Sequence, residues 1–139
     1  MKHFIKKSEK KHLIKKISSF LENENQEIAT AYLFGSFVKS EFFSDIDLGL
    51  ITNTDLERPL KFELGMETRL ENIVKYPVDV RILNHAPFSF SQNVIRHGEI
   101  IIDKNPNLRA EFTGNVLKQY FDFSHFRKHY LKEVINAPI

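Results

Sequence analysis

The sequence predicts a mixed α/β fold: a small sheet of about four strands flanked by helices, ending in a C-terminal helix. Three observations predict it. Short β-branched runs bounded by turn residues recur along the chain, and stretches with apolar residues three and four apart lie between them. Such alternation of strand and helix signals is the pattern of helices packed on a mixed sheet. The 139 residues, including thirteen Phe and four Tyr, suffice for one core, because each buried aromatic removes roughly 150–250 Å² from water.

The elements follow in order. Ser8 to Asn25 reads as a helix, since Leu13, Ile14, Ile17, Phe20 and Leu21 form one stripe at 3.6-residue spacing. Ile28 to Phe34 (IATAYLF) reads as a buried strand stopped by Gly35. A loop or short helical turn follows through VKSEFF, then a second strand, Asp45 to Thr52. Asp55 to Ile73 reads as a helix with Phe62, Met66 and Leu70 four apart; Pro59 is tolerable in its first turn, where N–H groups lack partners anyway. Val78 to Leu83 alternates as a third strand. Phe88 to His97 reads as a short helix ended by Gly98, and Glu99 to Asp103 as a fourth strand. Asn107 to Ile135 is helical, with the rows Leu108–Phe112–Val116–Tyr120 and Phe126–Tyr130–Val134, and a kink or break is expected at Asp122-Phe123-Ser124. No linker composition divides the chain, so residues 1–139 are expected to be one domain, with a helix over 8–25, a core over 28–103 and a helical segment over 107–135.

Composition excludes several classes. No apolar run approaches 18 residues, so no membrane span is expected, and the basic MKHFIKKSEKKH start lacks the apolar stretch of a signal peptide. The absence of cysteine excludes disulfides and thiolate metal sites and fits a cytoplasmic setting. Net charge is only +2, but Lys2, Lys6, Lys7, Lys10, Lys11, Lys15 and Lys16 crowd the first sixteen residues. Without interleaved aromatics this run reads as a solvated helix face with a frayed start, and nucleic acid is not expected as the main partner.

The chemistry concentrates in Leu33 to Ile51, LFGSFVKSEFFSDIDLGLI. Gly35-Ser36 opens a tight turn where backbone N–H groups can approach a phosphate closely, and the Ser36 hydroxyl adds a donor. Asp45 and Asp47, two apart on a strand, point to one face. Like charges so placed repel, and a hard divalent cation such as Mg²⁺ relieves them. If the strand carrying Asp79 lies beside them, three carboxylates converge, enough to hold two metal ions roughly 3.5–4 Å apart for in-line displacement at phosphorus. The bland alternatives are a plain turn at Gly35-Ser36, surface aspartates at a strand start, and Asp79 paired to Arg81.

The stretch G-S-F-V-K-S-E-F-F-S-D-I-D-L resembles the signature of the DNA polymerase β-like nucleotidyltransferase superfamily, and PVDVRILNHAP with VIRHGEIIID resembles its minimal nucleotidyltransferase branch. The resemblance covers about Leu33 to Asp103. It implies the polymerase β-like fold, with Gly35 and Ser36 binding the nucleotide's phosphates and Asp45, Asp47 and Asp79 as catalytic metal ligands for two Mg²⁺. Lys39 stands where the family often has Arg, as a further phosphate contact. The substrate it implies is ATP. The reaction is AMP transfer to a protein hydroxyl, as the antitoxin of a HEPN-type helical partner, and a homo-oligomer is compatible. There are departures: Ser40 replaces a common Gly, the loop before Asp45 is about two residues short, and Arg81 shares a strand face with Asp79. They favour an alternative, a catalytically weak module that neutralises its partner by binding. Transfer to RNA or a small molecule is a further alternative. His125 and His129 share a helix face, but no third ligand suggests zinc. The aromatic last helix reads equally as core or as partner interface.

Overall fold

A computed structural model describes residues 2–24 and 26–136. The chain order is β1 (His3–Phe4), α1 (Lys7–Glu24), β2 (Ile28–Phe34), α2 (Ser36–Lys39), β3 (Phe42–Phe43), β4 (Ile46–Thr52), α3 (Pro59–Val74), β5 (Val78–Ile82), α4 (Phe88–His97), β6 (Glu99–Asp103) and α5 (Pro106–Asn136). Asn25, the expected end of the first helix, lies outside the described residues.

The main sheet has the order β5-β4-β2-β6. β2 runs antiparallel to both β4 and β6, whereas β5 lies parallel to β4, reached through α3. Period-two alternation divides the sheet's side chains between two apolar layers. Ala31, Leu33, Leu48, Leu50, Val78 and Val80 pack with Leu13, Ile17 and Leu21 of α1 and Met66 and Leu70 of α3. On the other face Tyr32 and Ile51 pack with Leu83 and Val94, joined by Phe90, Leu108 and Phe112. Each Val, Leu, Ile or Met side chain so buried contributes about 1.5–3 kcal/mol. The central strands β2 and β4 therefore read as nearly continuous apolar runs.

Several features differ from expectation. α3 begins at Pro59 instead of Asp55, because proline suits the first helical position and its ring opposes any preceding turn. β4 begins at Ile46, leaving Asp45 just before the strand. Gly98 ends α4 as expected, in an extended conformation with φ −81°. It is glycine because a Cβ there would run into the carbonyl oxygens of Val94 and Leu33. α5 is one uninterrupted helix through Asp122-Phe123-Ser124, with Phe123 stacked edge-on against Phe88 at 5.6 Å. Nothing there removes a backbone donor, so no break is required.

The start of the chain is pinned, contrary to the frayed start read from its lysines. His3 and Phe4 pair with Phe43 and Phe42, and the Ile5 N–H donates to the Glu41 carbonyl at 3.1 Å. Ile5 is buried, and Phe43 makes ring contacts with His3, Phe37 and Tyr76. No described helix is long and apolar enough to cross a membrane.

Candidate active site

The strand register brings the turn and the carboxylates to one end of the sheet. Phe34 pairs with Asp47 across β2 and β4, and Asp47 pairs with Asp79 across β4 and β5. Gly35 follows Phe34 directly, so the turn and both aspartates occupy adjacent positions. Asp47 and Asp79 alternate with residues of the α1–α3 layer, which directs both carboxylates to the opposite face. Asp45 has the same parity as Asp47 but is exposed and stands outside the strand.

Gly35 is required twice over. Its φ of 77° lies in the left-handed region, and a Cβ would collide with Asp47 Oδ2. The Asp47 carboxylate thus lies directly against the turn's backbone. Ser36 opens α2, whose single turn is closed by Lys39 N–H to the Gly35 carbonyl at 3.3 Å and Ser40 N–H to the Ser36 carbonyl at 2.9 Å. Phe37 anchors that turn in the core. Lys39 sits at the far end of α2 and, with Lys7, Lys10, Lys11, Glu41 and Glu99, lines a cavity of about 310 Å³.

The electrostatics are strained. Burial pushes the Asp47 carboxyl from an ordinary 3.8 up to about 6; Asp79 and then Asp45 add repulsion, and Arg81 pulls the other way. Arg81 Nε donates to Asp79 Oδ1 at 3.3 Å, in an exposed pair of the kind worth little in stability. Among the described residues no three His, Cys, Asp or Glu side chains are gathered so as to hold a metal ion by themselves. The donor set nevertheless fits magnesium. Its oxygens are hard, and Mg²⁺ is commonly held by one or two carboxylates plus substrate phosphates instead of a protein cage.

Sequence reasoning missed three glutamates on α3. β5 is an outermost strand, and its outward N–H groups would otherwise lack partners. Val78 N–H donates to Glu71 Oε1 at 3.1 Å, Val80 N–H to Glu67 Oε2 at 2.8 Å and Ile82 N–H to Glu63 Oε2 at 2.8 Å. The Glu67 carboxyl also lies near enough to that of Asp79 for the two charges to oppose each other. Burial raises the Glu67 carboxyl; the Val80 N–H lowers it, and Asp79 raises it further. The available signal was Glu at i, i+4 and i+8 opposite a V-x-V-x-I strand.

Residues 15–107, two thirds of the chain, match the family model of polymerase beta nucleotidyltransferases. No curated protein matches the chain. Among solved structures, a chain of the complex of tri-AMPylated Shewanella oneidensis HEPN toxin with MNT antitoxin is similar at 20% identity and TM-score 0.69, over 91% of this chain and 98% of that one. A chain of the MntA–HepT toxin–antitoxin structure is similar at 19% identity and TM-score 0.68, over 90% and 98%. A toxin–antitoxin structure with AMP-PNP is similar at 20% identity and TM-score 0.71, over 88% and 98%. At these identities the likeness is one of fold.

Proposed function

The chain belongs to the polymerase beta nucleotidyltransferase family, and on that premise we propose that it moves AMP from ATP onto a hydroxyl of a helical HEPN-type toxin, as the antitoxin of the pair. The observation that carries this reading is the register that sets Asp47 against both Gly35 and Asp79. The fold shared with structures containing a tri-AMPylated toxin and AMP-PNP supports the acceptor and the nucleotide. A cytoplasmic setting accords with it.

In this reading Gly35 and Ser36 receive the β- and γ-phosphates, with Lys39 one turn away as a further cationic contact. Asp45, Asp47 and Asp79 would hold Mg²⁺, which supplies charge neutralisation at the phosphates and acidifies the attacking hydroxyl. The acceptor oxygen, that of a tyrosine in this reading, bonds to the α-phosphorus as the α–β bridging bond breaks. Pyrophosphate leaves, and the hydroxyl proton passes to solvent or a carboxylate. The protein's share is positioning and electrostatic stabilisation, because little covalent chemistry falls to it.

A second reading has a specific observation behind it. Arg81 occupies one oxygen of Asp79, and Phe121, Phe123, Phe126, Tyr130 and Val134 leave an exposed apolar surface along the end of α5. A module that neutralises its partner chiefly by covering it would look like this. The deciding experiment mixes the protein with α-labelled ATP, Mg²⁺ and the product of the adjacent gene, beside an Asp45→Ala/Asp47→Ala control. Label on the partner in the wild type alone is expected. A stable complex without label would replace transfer by binding.

A further inference from the structure

We propose that the lysine-lined cavity behind α2 is a second anion site, which takes a compact inorganic polyphosphate apart from the nucleotide turn. The cavity, of about 310 Å³, is walled by Lys7, Lys10 and Lys11 of α1 and Lys39 of α2. Glu41 and Glu99 line it too, so four ammonium groups against two carboxylates leave an excess of two positive charges. Among the described residues none of the four lysines is ion-paired.

This cluster breaks local rules with no compensating partner in the chain. Lys7 and Lys10 stand in the first turn of α1, where free N–H groups already make the helix end positive. Lys7 also stands three from Lys10 and four from Lys11, the spacings at which like charges oppose a helix. Conflicts of this kind mark functional positions, and one anion relieves them all. The cations are also held in place. Ile5 is buried and its N–H bonds to the Glu41 carbonyl, which fixes the start of α1 beside α2. Lys10 Nζ donates to the Ser40 carbonyl at 2.8 Å and lies 5.2 Å from the centre of the Phe37 ring.

The cavity's size selects the occupant. It falls near the lower end of the roughly 300–1,000 Å³ of ligand pockets, so it suits a compact, highly charged anion better than an extended strand. Ammonium groups meet phosphate as point charges, without the planar geometry that a guanidinium requires. The site is distinct from the nucleotide turn. Glu99 is registered opposite Leu33, which belongs to the α1 layer, whereas Asp47 and Asp79 face the other layer. α2 lies between the two: Gly35 at its start abuts Asp47, and Val38, Lys39 and Ser40 at its end line the cavity. Lys39 is the cation that both sites can use, so the test spares it.

Inorganic tripolyphosphate would be titrated calorimetrically into the full chain without metal, because Mg²⁺ masks the charge that the lysines read. One molecule should bind, more weakly as salt rises. Lys7→Gln/Lys11→Gln should weaken it about tenfold, the loss of two exposed charge pairs. Both lysines are exposed, so the variant should fold, which a thermal melt checks. Lys15→Gln/Lys16→Gln removes the same charge from the same helix outside this cavity and should change binding less than about twofold. Asp45→Ala/Asp47→Ala should bind at least as well as the wild type. Equal weakening by the two lysine pairs would reduce the site to diffuse attraction and overturn the proposal, as would absence of binding. Loss of binding in the aspartate variant would overturn it too, by returning the anion to the nucleotide turn. A single-stranded RNA that binds more tightly than tripolyphosphate, and weakens with both lysine pairs, would make α1 a nucleic-acid surface instead. Failure of AMP transfer leaves these titrations untouched, so the two readings fail separately.

Discussion

Asp47 is the residue on which the site turns, and its titration makes a signed prediction. Its carboxyl titrates near 6 in the fold, above the ordinary 3.8 expected when unfolded. Between those values the folded state binds more protons, so metal-free stability falls as pH rises from about 4 to about 6 and the deficit persists above. After discounting for partial exposure, the penalty is on the order of 1–2 kcal/mol. Asp47→Asn removes it. Chemical denaturation at pH 7 without metal should therefore find the Asn variant more stable than the wild type, and at pH 4 nearly equal. The same variant should lose AMP transfer by more than the roughly 10–100-fold that removing a group behind a metal ligand costs. Gly35→Ala makes the complementary case: left-handed strain and collision with Asp47 should cost about 1–3 kcal/mol by urea denaturation and weaken ATP binding. The spacing of Gly35, Ser36, Asp45 and Asp47 was legible in the sequence because it lies within one strand-turn-strand unit. Glu67 was not, because its contact needs the position of α3 against β5.

At the scale of elements, α1 and the end of α5 have opposite characters. Ile17 and Leu21 of α1 are wholly buried against the sheet, and Ile17→Ala should cost about 2–4 kcal/mol by chemical denaturation. Phe126 and Tyr130 of α5 are 66% and 56% exposed, so truncating them removes little packing. Phe126→Ser with Tyr130→Ser should leave stability within about 0.5 kcal/mol per site. If this face docks the partner, the same pair should abolish co-purification with it. Unaltered co-purification would assign the face no part in the complex. Of the two possibilities read from this helix, core packing holds for its first half. Leu108, Phe112 and Val116 pack inward; beyond Tyr120 the large side chains are mostly exposed, although Phe123 rests edge-on against Phe88. The β1–β3 pair escaped the sequence because two residues per strand cannot display a period.

At the scale of the molecule, the proposed function couples ligand to stability. A ligand at 100 times its Kd stabilises the fold it binds by about 2.7 kcal/mol. MgATP should therefore raise the melting temperature of the wild type. It should do so much less after a chelator removes the metal, and hardly at all in Asp45→Ala/Asp47→Ala. A shift undiminished in the double variant would place the nucleotide elsewhere. The cavity lined by Lys7, Lys10, Lys11 and Lys39 would then be the first place to look.

Local pattern alone determined the alternation of helices and strands, the bounds of β2, α4 and β6, and the clustering of Gly35, Ser36, Asp45 and Asp47. These follow from side-chain periodicity and turn chemistry, which act over a few residues. Tertiary structure decided what depends on which strands are neighbours. The parallel pairing of β4 with β5 set Asp79 beside Asp47. The packing of α3 along the β5 edge turned three surface-like glutamates into acceptors for a strand. The pairing of His3–Phe4 with Phe42–Phe43 fixed a start that its lysines suggested was loose. Strand order arises from the burial of two apolar faces at once, a condition on the whole sheet that no local stretch of sequence carries.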